Sequence, residues 1–335
     1  MTTNGHTARR VTLKDIALSV GVSVNAASKV LNNTRSNAYV SQDTRRRIVE
    51  TAGRLGYQPN FAARSLTRRR TDIVALYFDR TLSLSEPFTA ALIEGAEDGC
   101  QERAQSLLLY SRRPDETVED VCRKVLSGMA DGIAIDYWTW PDVVDRFRQS
   151  GLPVIMYPHG HPDIPSVVIN EDEAVTKVLK YLLDKGHKSV YYRTYKAGDE
   201  DRARAYRTAA RNLGMDIVAI ADADTHGNLS DAEKDMLAKP RDQRPTAAVC
   251  WNDVYAYKLL DYCESIGLDV PGELAVVGFD GVRTFPERKR ALTTVYVPWT
   301  EIAKTAVSLL VDIRDGRDVP IETTLELTLR IGDTA

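Results

Sequence analysis

The sequence predicts an α/β protein that carries a small all-helical head, and two observations set that division. Residues 1 to 70 hold 13 Lys and Arg against three acids, a formal +10, while the remainder of the chain carries −13. Within those seventy residues apolar positions recur at helical spacing, whereas beyond Thr71 β-branched and apolar runs alternate with amphipathic helical patterns. A basic head on an acidic body implies that the head meets a polyanion, because clustered cations gain from counterion release at phosphates, while the body does something else. At 335 residues the chain has room for two or three folding units.

Thr12 opens the first helix. It stands three residues before Asp15, the spacing of a reciprocal cap, and Ile16 and Val20 follow on one face. Gly21 ends it, since a helix C-terminus favours a residue that tolerates positive φ. Ser23 caps a second helix with Ala27, Val30 and Leu31 on one face, and Ser41 caps a third whose buried stripe is expected to be Ile48, Val49, Ala52 and Leu55. Pro59 in YQPN stops the pattern; NFAARSL regains short helical potential before the charge run TRRRT, which reads as a hinge.

In the body the strand candidates are DIVALYF, SLLLY, GIAI, PVIMY, SVVI, SVYY, DIVAI, AAVCW and LAVVGF. Helical patterns near 87–103, 115–127, 141–150, 172–185, 201–213, 230–238, 254–266 and 299–314 lie between them. Such alternation means parallel sheets with helices on both faces, and so many strands mean two lobes, with the cleft between them as the default ligand site.

Several classes are excluded. Cys100, Cys122, Cys250 and Cys263 are scattered without a CxxC pair, as small buried hydrophobes are, so neither a disulfide nor a metal site is expected. His159 and His161 form an HxH in a Pro/Gly-rich loop with no third ligand and read as surface histidines, and His187 as a structural turn residue. No apolar run approaches the roughly eighteen residues of a membrane span, and MTTNGHTARR lacks the core of a secretory signal, so a cytoplasmic protein without membrane contact is expected. No GxSxG, HExxH, GxGxxG or Walker sequence occurs, so an enzyme is not expected, no catalytic residue can be named and no cofactor is implied.

The first two helices fit a helix-turn-helix. Ala17 allows the second helix to cross the first, Gly21 takes the turn, and Ile16, Val20, Val22, Ala27 and Val30 lock the pair. Val24, Asn25, Ala26, Ser28 and Lys29 are left on the outer face, and with basic surroundings and a third capped helix that face points to duplex DNA.

VTLKDIALSVGVSVNAASKVLN followed by VSQDTRRRIVETAGRLGYQPNFAARSL resembles the head and hinge of the lactose-repressor/galactose-repressor family of bacterial transcription regulators. The resemblance continues through YLLDKGHKSVYY, DRARAY, PTAAVCWND, LDVPGELAVVGFD and ALTTVYVP, each in family order, and so covers nearly the whole chain. It implies a helix-turn-helix DNA-binding domain over 1–59, a hinge helix and linker over 60–71, and a two-lobed effector-binding domain over 72–335 resembling the periplasmic sugar-binding proteins. The first lobe would take about 72–168 and 298–325, the second about 169–297 and 326–335.

By that resemblance the second helix enters the major groove. Val24, Asn25 and Lys29 occupy its base-reading positions, while Ser23, Ser28, Asn32 and Arg45 face phosphates. The family's hinge helix forms on the operator and drives a leucine into the minor groove; here Asn60, Ala63 and Leu66 match it, with Leu66 as the wedge or, alternatively, a linker residue packed on the body. The connection NTRSNAY after Asn32 is longer than the commonest family version, and Arg35 in it either reaches phosphate or sits in a plain loop.

In the body Arg202 matches the family's effector-contacting arginine, Asn252 and Asp253 a strand end facing the cleft, and Asp280 the acid of the next strand end. A cation among acids and amides holds vicinal hydroxyls in fixed directions, which suggests a carbohydrate. Asp79, Phe88 and Asp136 project from the first lobe, as ligand contacts or equally as a turn acid, a core aromatic and a helix cap. Trp138 and Trp251, with Tyr137 and Trp140, either stack on a sugar ring or seal the lobe. Pro158 and His159 replace an acid that many relatives carry, which puts an effector contact there in doubt.

The expected function is a homodimeric repressor that binds a palindromic operator and is released by a small-molecule effector, the sequence ending without a leucine-rich tetramerising tail. The alternative is a sugar receptor of the periplasmic type with no DNA role. The basic head and the missing signal sequence favour the first.

Overall fold

The computed structural model describes residues 10–32, 39–78, 87–137, 139–195, 200–223, 227–282 and 290–335. They fall into two compact units, one comprising the chain through Ile73 with Gly128–Asp131 and the other the rest.

The first unit holds α1 (Leu13–Val20), α2 (Val24–Asn32), α3 (Gln42–Arg54) and α4 (Phe61–Arg68). Its cap chemistry follows the sequence. The Thr12 amide donates to the Asp15 carboxylate at 2.8 Å while the Thr12 hydroxyl accepts from the Asp15 amide at 3.4 Å, and Gly21 closes α1 at φ 77°. Ile16, Ala17, Val20, Ala27, Ile48 and Ala52 form one small core. Val49 and Leu55, expected in that stripe, are exposed instead: Ile48 and Ala52 lie four residues apart on the face turned to α1, and Val49 stands 100° further round the helix. Arg47 is spent on structure, its guanidinium donating to the Val20 carbonyl at 2.9 Å and so satisfying an orphan acceptor at the end of α1.

Asn60 caps α4 by accepting from the Ala63 amide at 3.4 Å, and α4 buries no residue. Beyond it the chain is fastened within the same unit. The Asp131 carboxylate accepts from the Thr71 amide at 2.8 Å, the Thr71 hydroxyl at 2.8 Å and the Asp72 amide at 2.7 Å. Arg68 and Arg70 in turn pair with Asp72. Charge-assisted bonds to one carboxylate make this a firm anchor for a helix with no core of its own.

The second unit contains two six-stranded sheets. The first has the order β11 (Glu322–Leu325), β5 (Ser166–Ile169), β4 (Val154–Tyr157), β3 (Gly132–Asp136), β1 (Ile73–Phe78), β2 (Ser106–Ser111). The second has the order β12 (Thr328–Arg330), β10 (Thr293–Tyr296), β9 (Ala275–Asp280), β8 (Ala247–Cys250), β6 (Ser189–Tyr195), β7 (Asp216–Ala223). The pairs β1–β3, β3–β4, β4–β5, β5–β11, β6–β7, β6–β8, β8–β9 and β9–β10 are parallel, and β12 runs antiparallel to β10. Strands β3, β4, β5, β8 and β9 are buried along their length, as parallel strands covered on both faces must be.

The chain crosses between the sheets three times: after β5, after β10 and between β11 and β12. After β10, α12 (Trp299–Arg314) packs on α5 (Pro87–Glu102) and on the first sheet. Gly95 and Gly99 let the two backbones touch, since a Cβ on Gly95 would stand 2.0 Å from the Thr300 carbonyl oxygen. The first crossover enters α8 (Glu171–Asp184), which packs against α9 (Glu200–Leu213) beside the second sheet.

Strands β10, β11 and β12 were not among the sequence candidates. They are four, four and three residues long, and TTVY, ETTL and TLR carry neither a long apolar run nor a turn signal at both ends.

Candidate nucleic-acid face and ligand cleft

On α2, Ser23 is the helix cap, its hydroxyl accepting from the Ala26 amide at 3.1 Å. Val24 and Asn25 are exposed in the first turn, and Ser28 and Lys29 are half-buried one turn on. Ala27 is fully buried between them, which fixes the rotation of the helix and therefore which residues look outward. No acid stands in the first turn of α2 to offset its positive end. Arg45 on α3 is exposed, whereas Arg46 pairs with Asp43 at 2.6 Å. The side chain of Asn32 and the loop containing Arg35 lie outside the described residues.

On α4, Asn60, Ala63 and Leu66 recur every three residues and share one face. Leu66 is 82% exposed, the least covered leucine among the described residues, and does not pack on a core.

In the second unit the C-terminal ends of strands from both sheets bring side chains together, the place where ligands bind in open α/β sheets. Arg202, in the first turn of α9, is its centre. Its Nε and Nη2 donate to the Glu171 carboxylate at 3.1 and 2.6 Å, its Nη1 to the Trp251 carbonyl at 2.6 Å, and its guanidinium lies 3.8 Å over the Phe279 ring. Asp280, at the end of β9, is buried, and burial lifts its carboxyl well above the usual range against the pull of Arg202. Its φ of 100° holds it in a strained conformation for a non-glycine residue.

Asp253 is buried and takes hydrogen bonds from the Thr294 hydroxyl at 2.5 Å and the Val282 amide at 3.1 Å. Burial pushes it up to about 7, with those bonds opposing. Asn252 caps α11 (Asp253–Ser265), accepting from the Tyr255 amide at 2.9 Å. Both follow Trp251, whose carbonyl Arg202 binds, but serve the strand-to-helix turn. Trp251 meets Tyr255 edge-on at 5.6 Å.

From the first sheet, Asp136 ends β3 and accepts from the Thr139 hydroxyl at 3.0 Å, as a turn acid does. Phe88 meets Trp299 in a tilted ring contact at 5.5 Å. Asp79 and Trp138 lie outside the described residues.

His159 corrects a sequence expectation. It is half-buried rather than on the open surface, its ring meets Tyr137 at 4.7 Å, and burial lowers its pKa while Glu171 and Arg202 act on it in opposite directions. His161 takes a turn role, accepting from the Asp163 amide at 3.1 Å. Glu171 was not anticipated. In INEDEA it reads as the acid of a helix start, which it also is, and only the fold places it against Arg202, 31 residues away. Although burial alone would raise its pKa, Arg202 holds it below the usual carboxylate range, so the pair is ionised. Among the described residues no group of three or more His, Cys, Asp or Glu could hold a metal ion, and no helix is long and apolar enough to cross a membrane.

Residues 12–60 match the model of the bacterial regulatory proteins of the lacI family, and residues 179–335 match that of the periplasmic binding protein-like domain. The chain belongs to the lacI family of helix-turn-helix transcriptional regulators. An HTH-type transcriptional regulator of Mycolicibacterium smegmatis is 29% identical over 368 residues, covering 98% of each chain. The HTH-type transcriptional repressor PurR of Aliivibrio fischeri is 27% identical over 322 residues, covering 92% of this chain and 93% of its own.

In fold this lacI-family chain is similar to the lac repressor dimer bound to operator and the anti-inducer ONPF, with a TM-score of 0.84 over 97% of this chain and 99% of that one at 19% identity. It is also similar to the transcriptional regulator CelR in complex with cellobiose, with a TM-score of 0.69 over 97% and 100% at 24% identity. The protein is a sequence-specific DNA-binding regulator.

Proposed function

We propose that two copies of the chain bind a palindromic operator as a repressor and that a neutral carbohydrate in the cleft releases them. The observation that carries the DNA reading is the exposed first turn of α2, where Val24 and Asn25 stand clear of the core that Ala27 anchors. In that reading Val24, Asn25 and Lys29 select bases, Ser23, Ser28, Asn32 and Arg45 hold phosphates, and Leu66, with Asn60 and Ala63, enters the minor groove. Two heads on a two-fold axis read two inverted half-sites, because one head makes too small a contact to be selective.

The carbohydrate reading rests on Arg202 held by Glu171 beside Asp280, with the Phe279 ring against its guanidinium. Directional polar groups beside flat apolar faces are what a polyhydroxylated ring requires. CelR, similar in fold, was seen with cellobiose, which supports the same ligand class here.

Release follows from linkage: a ligand that prefers one arrangement of the lobes weakens DNA binding by as much as DNA weakens ligand binding. The test is fluorescence anisotropy of a labelled operator, selected from random duplexes, titrated with a panel of neutral mono- and disaccharides. One sugar is expected to lower operator affinity by about 5- to 150-fold, and Arg202→Ala is expected to keep the operator bound but abolish the response. A normal response in Arg202→Ala would remove that residue from the ligand site.

A further inference from the structure

We infer that Glu171 sets the ligand class of the cleft: it is a built-in counter-ion that occupies the carboxylate-binding edge of Arg202 and so closes the site to anions. The inference rests on the proposed ligand site at Arg202 and goes beyond it by naming what that site rejects.

An arginine in a ligand cleft is by default an anion receptor, since its Nε and Nη2 edge matches carboxylate and phosphate geometry bidentately. Here that edge is already filled by Glu171, at 3.1 and 2.6 Å. Both side chains are about nine-tenths buried, so the pair is weakly screened. The guanidinium is pinned from two further sides by the Trp251 carbonyl and the Phe279 ring. Among the described residues the ionisable groups that act on this cluster are Glu171, Asp201, Asp253, Asp280 and His159. His159 is the one of these five that could turn cationic, and burial keeps it towards its neutral form, as it does Asp253 and Asp280. An incoming anion would have to displace Glu171 from the guanidinium, leaving that carboxylate buried without its cation and beside the arriving charge. A neutral polyol meets no such barrier and finds the guanidinium rigidly oriented.

The position of Glu171 gives the idea a second support. It is the first residue of α8, immediately after the crossover from β5, and Asn170 caps that helix by accepting from the Glu173 amide at 3.1 Å. The Asn170 cap, and not Glu171, therefore secures the helix start, so Glu171 can be changed without removing it.

The experiment is thermal melting of the full chain in potassium phosphate against potassium chloride at matched ionic strength, for wild type, Glu171→Gln, Glu171→Asp and Glu171→Gln/Arg202→Met. Comparison with the double variant removes any phosphate effect at the basic head. Glu171→Gln is expected to gain a phosphate-dependent rise in melting temperature, corresponding to at least about tenfold tighter anion binding than wild type. The double variant should lose that gain, and Glu171→Asp, which keeps the charge, should behave as wild type. The inference is overturned if wild type is stabilised by phosphate more than the Glu171→Gln/Arg202→Met variant is, or if folded Glu171→Gln gains no phosphate response. Failure of wild type to respond to any neutral sugar in the operator assay would instead count against the carbohydrate reading, and the phosphate result stands apart from it.

Discussion

The head and the body solve opposite problems with the same charged residues. In the head the core is six small side chains, and the residues assigned to DNA are exposed or half-buried on helices that this core holds in place. In the body Arg202, Asn252, Asp253 and Asp280 are buried and already bonded to protein partners. A surface that must meet a polyanion keeps its cations in water until contact, whereas a cleft that must recognise a small molecule fixes its polar groups in advance. It follows that changes in the head should alter binding with little effect on stability, and changes in the body should alter both.

The sharpest way to break this contrast lies in the buried network behind β6. Arg193 and Glu233 are fully buried and paired at 2.8 Å, with Arg193 also donating to the Gly227 and Tyr255 carbonyls at 2.7 and 3.2 Å. Arg193→Met leaves Glu233 buried without its cation and is expected to cost about 3–5 kcal/mol in chemical denaturation. A loss below about 1 kcal/mol would show that the core of the body tolerates a buried carboxylate without its cation.

Next comes a pH effect confined to the body. The folded protein holds the Asp253 proton up to about 7, whereas the unfolded chain releases it near the ordinary aspartate value of about 3.9. The resulting stabilisation is fully present below that lower value and is lost as pH rises through about 7. Asp253→Asn should therefore gain on wild type as pH rises across this window, whatever the constant cost of changing the Thr294 bond. A stability difference that is flat with pH would remove the titration.

Smaller effects belong to the head. Lys29→Ala is expected to relax selection at one base position by about 1–3 kcal/mol. Arg45→Ala should weaken all sequences alike and reduce the salt slope by about 1. Identical specificity profiles for the two variants in a binding-site selection would erase the distinction between base and phosphate contacts. The smallest expected change is in the stability of Leu66→Ala, within about 0.5 kcal/mol because the side chain is exposed, while operator bending in circular-permutation gels falls. Unchanged bending would return Leu66 to a linker role.

The head was the more legible region because its determinants are local. Thr12 with Asp15, Gly21, Ser23 and Ser41 each act within four residues, and the structure places each at the cap or turn that the spacing predicted. Val49 and Leu55 went astray because a hydrophobic stripe on a short helix can be drawn two ways until its neighbours are known. In the body the alternation of strands and helices was readable, but β10, β11 and β12 draw their identity from partners far along the chain, as in the Thr294–Arg330 register. The cleft was hardest for the same reason: Glu171 reads locally as a helix-start acid and His159 as a loop residue. Their relation to Arg202 exists only once two sheets have been assembled by three crossings.

The central claim, that a paired basic head reads inverted half-sites under control of a ligand cleft, is tested most directly by selecting bound sequences from a random duplex library with the full chain and measuring their affinity against salt. The account predicts an inverted repeat whose affinity falls steeply and linearly on a log–log salt plot and falls again when a neutral sugar is added. Recovery of no symmetric sequence, or of an affinity insensitive to salt, would contradict it.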